Sequence, residues 1–131
     1  MTVAVAHQVS PTSRKALAQA VMEAKFRATD LAVLHVVDSV DPDRQEAYRL
    51  GVSDEIEKVV DQEGSVPWRL HLATAGTDLA GALLRLVETI DADLLVIGAR
   101  HRSPVGKALL GSVAQTVILE ADLPVLVVKA P

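Results

Sequence analysis

Asp93-Leu94-Leu95-Val96-Ile97-Gly98-Ala99-Arg100 is the stretch from which the fold can be read. Its apolar run, Leu94 to Ile97, is too short for a helix, ends in β-branched residues and stops at a glycine. A strand with one wet face would alternate; an unbroken run suits a strand covered on both faces, as in a parallel sheet between two layers of helices. Runs of the same kind stand at Val3-Ala4-Val5-Ala6, Leu31 to Val37 and Val125-Leu126-Val127-Val128. Trp68-Arg69-Leu70-His71-Leu72 differs, because it alternates and follows Pro67, and it reads as an edge strand with a wetter face.

Helical patterns with matching start signals fill the intervals. Ser10-Pro11 reads as N-cap and first helical residue, ahead of a stripe of Ala16, Leu17, Ala20, Val21 and Ala24, with Met22 as core filler. Asp41-Pro42 repeats the signal before Tyr48, Val52, Ile56, Val59 and Val60, and Gly64 is the stop. Thr77 or Asp78 caps a third helix, with Leu79, Leu83, Leu86, Val87 and Ile90 facing inward. Ser112 opens a fourth, carrying Val113, Thr116 and Val117 and ending on the approach to Pro124. Strand and helix in alternation with short links predict an open, doubly wound, Rossmann-like α/β sheet with four helices.

The 131 residues fit one domain, 1–131, with a single core. Half of them are hydrophobic and the mean hydropathy is +0.28, which excludes disorder, while no apolar run reaches the ~18 residues of a membrane span. No basic leader precedes Val3, and the expected location is the cytoplasm. The absence of cysteine removes disulfides, thiolate chemistry and Cys-based metal sites. A net charge of −4 and an aromatic content of 2% argue against nucleic acid as a partner, and no membrane partner is expected.

The interval from 98 to 111 is long for a link between strand and helix, and such links are often functional. From Leu94 to Leu119 there is no acidic residue, whereas Arg100, Arg102 and Lys107 fall in the stretch beside His101. The rest of the chain sets ten cations against all seventeen acids, so a local cationic segment stands on an acidic protein. Segments following the carboxyl ends of strands are where open α/β sheets bind ligands. Gly98 and Gly106 permit turning and close approach, and Gly111-Ser112 at a helix start offers free amides to an anion. A solvated surface loop with Ser112 as an ordinary N-cap is the bland alternative. The segment is no Walker A loop: His101 stands where the first glycine belongs and Ala108 where the Ser/Thr would hold Mg²⁺.

Gly98-Ala99-Arg100-His101 followed by Gly111-Ser112-Val113 resembles the G-x2-G-x9-G-[ST] signature of the universal stress protein family, with Gly98, Gly111 and Ser112 at matching spacing. Ser10-Pro11-Thr12-Ser13, Leu34-His35-Val36-Val37-Asp38 and Pro124-Val125-Leu126-Val127-Val128-Lys129 agree with it, so the resemblance runs over essentially the whole chain. It implies five parallel strands in the order 3-2-1-4-5, a cytoplasmic stress-response regulator, and a homodimer paired through the last strand, Val125, Leu126, Val127 and Val128. Members of the family divide into those that bind ATP and those that do not, and ATP, with magnesium, is the ligand expected here. By the same resemblance the nucleotide contacts are Gln8, Val36, Gly98, His101, Gly111, Ser112 and Val113, to which the cations Arg100 and Arg102 are added because guanidinium suits phosphate. Two positions depart from the family pattern: His101 replaces the second motif glycine, and Gln8 replaces the acid that faces the nucleoside.

Three functions compete on these residues. The leading one is a nucleotide-binding regulator, with slow hydrolysis at most because no base or metal-holding acid is visible near the loop. The alternative is a dimeric interaction module in which His101 and Gln8 have ended ligand binding. The third is an enzyme acting on a small phosphorylated compound, with His7 and His101 as its acid–base candidates. His7 and His35 otherwise read as satisfied polar groups at strand ends, without a third ligand to make a metal site. His71 reads as facing water. Segment 38–63, with nine acids against Arg44, Arg49 and Lys58, reads as a solvated helix face.

Overall fold

The computed structural model describes residues 1–7, 11–37, 41–74, 78–100 and 111–130. Nine elements alternate along the chain: β1 (Thr2–Ala6), α1 (Pro11–Phe26), β2 (Asp30–Val37), α2 (Pro42–Glu63), β3 (Trp68–Thr74), α3 (Leu79–Ile90), β4 (Leu94–Arg100), α4 (Ser112–Glu120) and β5 (Val125–Ala130). The five strands form one parallel sheet in the order β3-β2-β1-β4-β5. The chain winds outward from β1 to β3, then returns to the middle for β4 and winds the other way. β1 and β4 therefore lie side by side at the point where the winding reverses.

Each face of the sheet carries its own apolar layer. On one, Val3 and Val5 of β1, Leu31 and Val33 of β2, Leu94 and Val96 of β4 pack under Ala16, Leu17, Ala20, Val21 and Ala24 of α1 and Val52, Ile56 and Val60 of α2. On the other, Ala4, Leu34, Val36, Leu95 and Ile97 pack under Leu83 and Val87 of α3 and Val117 of α4. Covering both faces is what makes the central strands continuous in apolarity, and each fully buried Leu, Ile or Val contributes about 1.5–3 kcal/mol. β3, at the edge, reads half-buried and exposed around a buried Leu70, so its alternation is that of a strand with one wetter face. His71 itself is half-buried rather than fully wet.

The expected start and stop signals of α2 and the start of α3 operate, whereas Ser10, the expected N-cap of α1, lies outside the described residues. Asp41 caps α2, its carboxylate accepting from the Asp43 amide at 3.0 Å ahead of Pro42 in the first turn. Gly64 closes that helix at φ 123°, its amide donating to the Val60 carbonyl, a backbone state that other residues enter only under strain. Of the two candidate caps for α3, Asp78 is the one used, accepting from the Gly81 amide at 2.9 Å.

Besides Leu79 and Tyr48, read on the inward stripes of α3 and α2 but 40% and 46% exposed, three expectations are corrected. Met22 is 50% exposed rather than core filler, because at 100° per residue it lies about a quarter-turn from Val21 and off the stripe that α1 buries. β4 continues through Arg100, where Ala130 of β5 pairs with it, so the strand takes residues 98–100 from the expected link. The third correction concerns His7 and His35, whose rings are buried but not satisfied: both nitrogens of His7 and Nδ1 of His35 have no hydrogen-bond partner.

Candidate functional site

Reversal of the winding sets the carboxyl ends of β1 and β4 side by side, the position at which open α/β sheets take ligands, and the connections that follow, 8–10 and 101–110, lie outside the described residues. Two helices begin there, α1 after β1 and α4 after β4. Neither carries an acid in its first turn, so the positive ends of both helix dipoles are left without a countercharge from their own residues.

The N-terminus of α4 is the best-defined part of the site. Its N-cap is Gly111 (φ −65°, ψ 161°), one residue before the expected Ser112, and it makes no side-chain capping hydrogen bond. Gly111 and Ser112 are exposed, and a Cβ built on Gly111 meets nothing within 4 Å. The Gly111 carbonyl starts the helix by accepting from the Gln115 amide at 3.0 Å. A helix start with a bare cap, exposed and unobstructed, presents its first amides outward, the arrangement that suits a phosphate. Val113, one residue on, is half-buried against the apolar layer beneath α3 and α4 and anchors this turn to the sheet.

The other expected contact residues fall as follows. Gly98 sits within β4, paired with Val128 of β5, and Arg100 ends the strand. Val36 lies near the end of β2, 6% exposed on the α3 side, so its side chain belongs to the core and what it can offer a ligand is backbone. Gln8, His101 and Arg102 lie outside the described residues.

Sequence reasoning placed His7 and His35 at strand ends but did not recognise their setting. His7 donates its backbone amide to the Leu34 carbonyl at 2.8 Å, continuing the β1–β2 ladder and bringing the two rings side by side, with centroids 5.8 Å apart. Burial, and then the neighbouring His35, lower the His7 pKa to about 4, against an opposing pull from Glu55. Burial lowers His35 as well, while a hydrogen bond to the backbone of His7 and the Glu55 charge work the other way. Both rings are thus neutral at pH 7. Among the described residues no three His, Asp or Glu side chains come together to hold a metal.

A cavity of about 310 Å³ opens elsewhere, between the C-terminal ends of α3 and α4, lined by Leu84, Val87, Ala92 and Leu123 with Glu88, Asp91, Glu120 and Asp122 at hand. It lies where the chain enters β4 and β5, at the opposite end of the sheet from the α4 N-terminus, and its acidic lining repels phosphate. Among the described residues no helix is long and apolar enough to cross a membrane.

Comparison with known proteins returns a consistent result. Residues 1–129 match the model of the Universal stress protein family. A universal stress protein of Mycolicibacterium smegmatis is 40% identical over 129 residues, covering 97% of this chain and 96% of that one. Among solved structures, a universal stress protein from Archaeoglobus fulgidus superposes with a TM-score of 0.82 at 29% identity, covering 98% of each chain. A second structure from that organism, solved in complex with dAMP, has a TM-score of 0.76 at 25% identity, again covering 98% of each chain.

Proposed function

The chain belongs to the universal stress protein family, and on that premise we propose that it is a regulatory protein that binds an adenine nucleotide in the crevice between the connections following β1 and β4. The observation that carries this reading is the N-terminus of α4: a bare glycine cap, exposed amides, and no acid in the first turn. The phosphates sit on those amides, with Gly111, Ser112 and Val113 supplying N–H donors and Gly98 leaving room beside β4. Arg100 at the end of β4, with His101 and Arg102 from the connection after it, adds donors, Gln8 offers an amide to the ribose, and the backbone at Val36 meets the base. The dAMP complex of the Archaeoglobus fulgidus relative supports an adenine nucleotide as the class of ligand. ATP with magnesium is the form proposed for this chain.

The site holds its ligand rather than cleaving it. Among the described residues neither flanking helix has a carboxylate in its first turn to fix magnesium or orient a water, and phosphoryl transfer depends on such groups. Occupancy is read out through a homodimer paired along β5, whose Val125 to Val128 are half-buried at the rim of the sheet.

Equilibrium titration of the intact chain with ATP, ADP and AMP, with and without Mg²⁺, tests the reading. Saturable binding is expected, and Gly111→Val abolishes it with the circular dichroism spectrum unchanged, because the added side chain enters open space within the fold but stands over the amides. The β5 edge also favours a second reading, a dimeric interaction module without ligand. No binding at millimolar nucleotide transfers the case to that module.

A further inference from the structure

The ends of β1 and β2 carry two histidines that nucleotide binding does not use. His7 and His35 are 1% and 2% exposed, and three of their ring nitrogens have no partner. Buried polar groups are ordinarily paired, and leaving them bare lowers stability. Their surroundings offer little to a proton. Continuing the sheet register, Leu72 of β3 flanks His35, and Gly98 of β4 flanks His7. From α1 comes the Arg14 charge, which opposes a second positive group. From α2 comes the Glu55 carboxylate, the group that favours protonation, but it is engaged by the Arg14 guanidinium at 3.3 Å. The Tyr48 ring of α2 lies 5.7 Å from that of His35.

The two halves of α2 are held differently. From residue 52 onward Val52, Ile56 and Val60 are buried at helical spacing. Residues 42–50 bury no side chain at all; Gln45 is half-buried and the rest are exposed, Leu50 at 67%. Tyr48 supplies the ring contact of this half, over His35. Gly51, a weak helix former with open space around it, marks the seam between the halves.

We propose that residues 42–50 form a proton-gated arm, seated by Tyr48 while the His7–His35 pair is neutral and released when the pair takes up a proton. An imidazolium needs water or a free carboxylate; among the described residues both rings are buried and the carboxylate that acts on them, Glu55, is engaged by Arg14. Among the described elements the strands and α1 are held by fully buried contacts, whereas the arm is not, so of these it is the arm that lifts at least cost to hydrate a charged ring. A hydrated ring returns from about 4 toward its ordinary 6.5, and opening therefore becomes more favourable as pH falls between those values. The device is independent of whether a nucleotide binds.

Amide hydrogen exchange of the intact chain at pH 7 and pH 5, each corrected for the intrinsic exchange rate, tests it. Protection of residues 42–50 is expected to fall about twentyfold, the linkage factor for one such ring, with residues 52–60 unchanged. His7→Val keeps the arm protected at pH 5, and Tyr48→Ala exposes it already at pH 7. Equal protection at both pH values, a loss spread evenly over α2 and the strands, or a response that survives His7→Val overturns the proposal. Tyr48→Ala leaving the arm as protected as in the parent chain at pH 7 also overturns it, and that measurement decides should His7→Val fail to fold.

Discussion

At His7 a proton is harder to accept inside the protein than outside it, and the difference appears as a dependence of stability on pH. The folded ring titrates near 4 and the unfolded one near 6.5, so above about pH 6.5 neither state binds the proton and the group leaves stability unchanged. Below that, the unfolded chain takes up the proton first, and stability falls until about pH 4, where both states are protonated. The full interval corresponds to on the order of 3 kcal/mol, a ceiling that any local opening reduces. Urea unfolding at pH 7 and pH 5 is expected to give a lower free energy at pH 5, and His7→Val narrows the gap. His35 shifts in the same direction for the same leading reason, burial, and deepens the trend.

At the scale of elements, the helix boundaries rest on single carboxylates that can be removed. Asp78 accepts from the Gly81 amide and opens α3, whose Ala80, Ala82, Leu83 and Val87 are buried. Asp78→Ala is expected to cost about 1 kcal/mol of unfolding free energy with the fold retained, measured by urea denaturation. These boundaries were readable in advance because a cap is a local matter: Asp41-Pro42, Asp78 and Gly64 act within three or four residues of themselves. The central strands were readable because two-sided burial leaves no polar alternation to confuse the pattern. Met22 was not, since its type says that it is apolar but only the packed helix says which side of α1 meets the sheet. The unpartnered nitrogens of His7 and His35 were also out of reach, because whether a ring finds a partner depends on residues distant in the chain. The candidate site was partly legible: Gly111-Ser112 stands at a helix start after β4, although the cap is one residue earlier than expected and Arg100 belongs to the strand.

For the whole molecule, the decisive feature is that the sheet is open. β5 ends it on one side, with Val125 to Val128 half-buried and Lys129 the charge among them. Size-exclusion chromatography with light scattering is expected to give the mass of two copies, and Val127→Lys to give that of one with an unchanged circular dichroism spectrum. A result of one copy for the parent chain removes the dimer from the proposed function. The opposite side ends differently, in β3, where Arg69 and Thr74 are exposed and Trp68 and His71 half-exposed around a single buried Leu70. The two rims are therefore poor matches for each other, while the β5 rim suits its own twin across a two-fold axis. Head-to-tail growth would have to join unlike rims, so the asymmetry on which the proposed pairing rests would also terminate it, sparing an apolar rim the fibrous polymerisation it would otherwise invite.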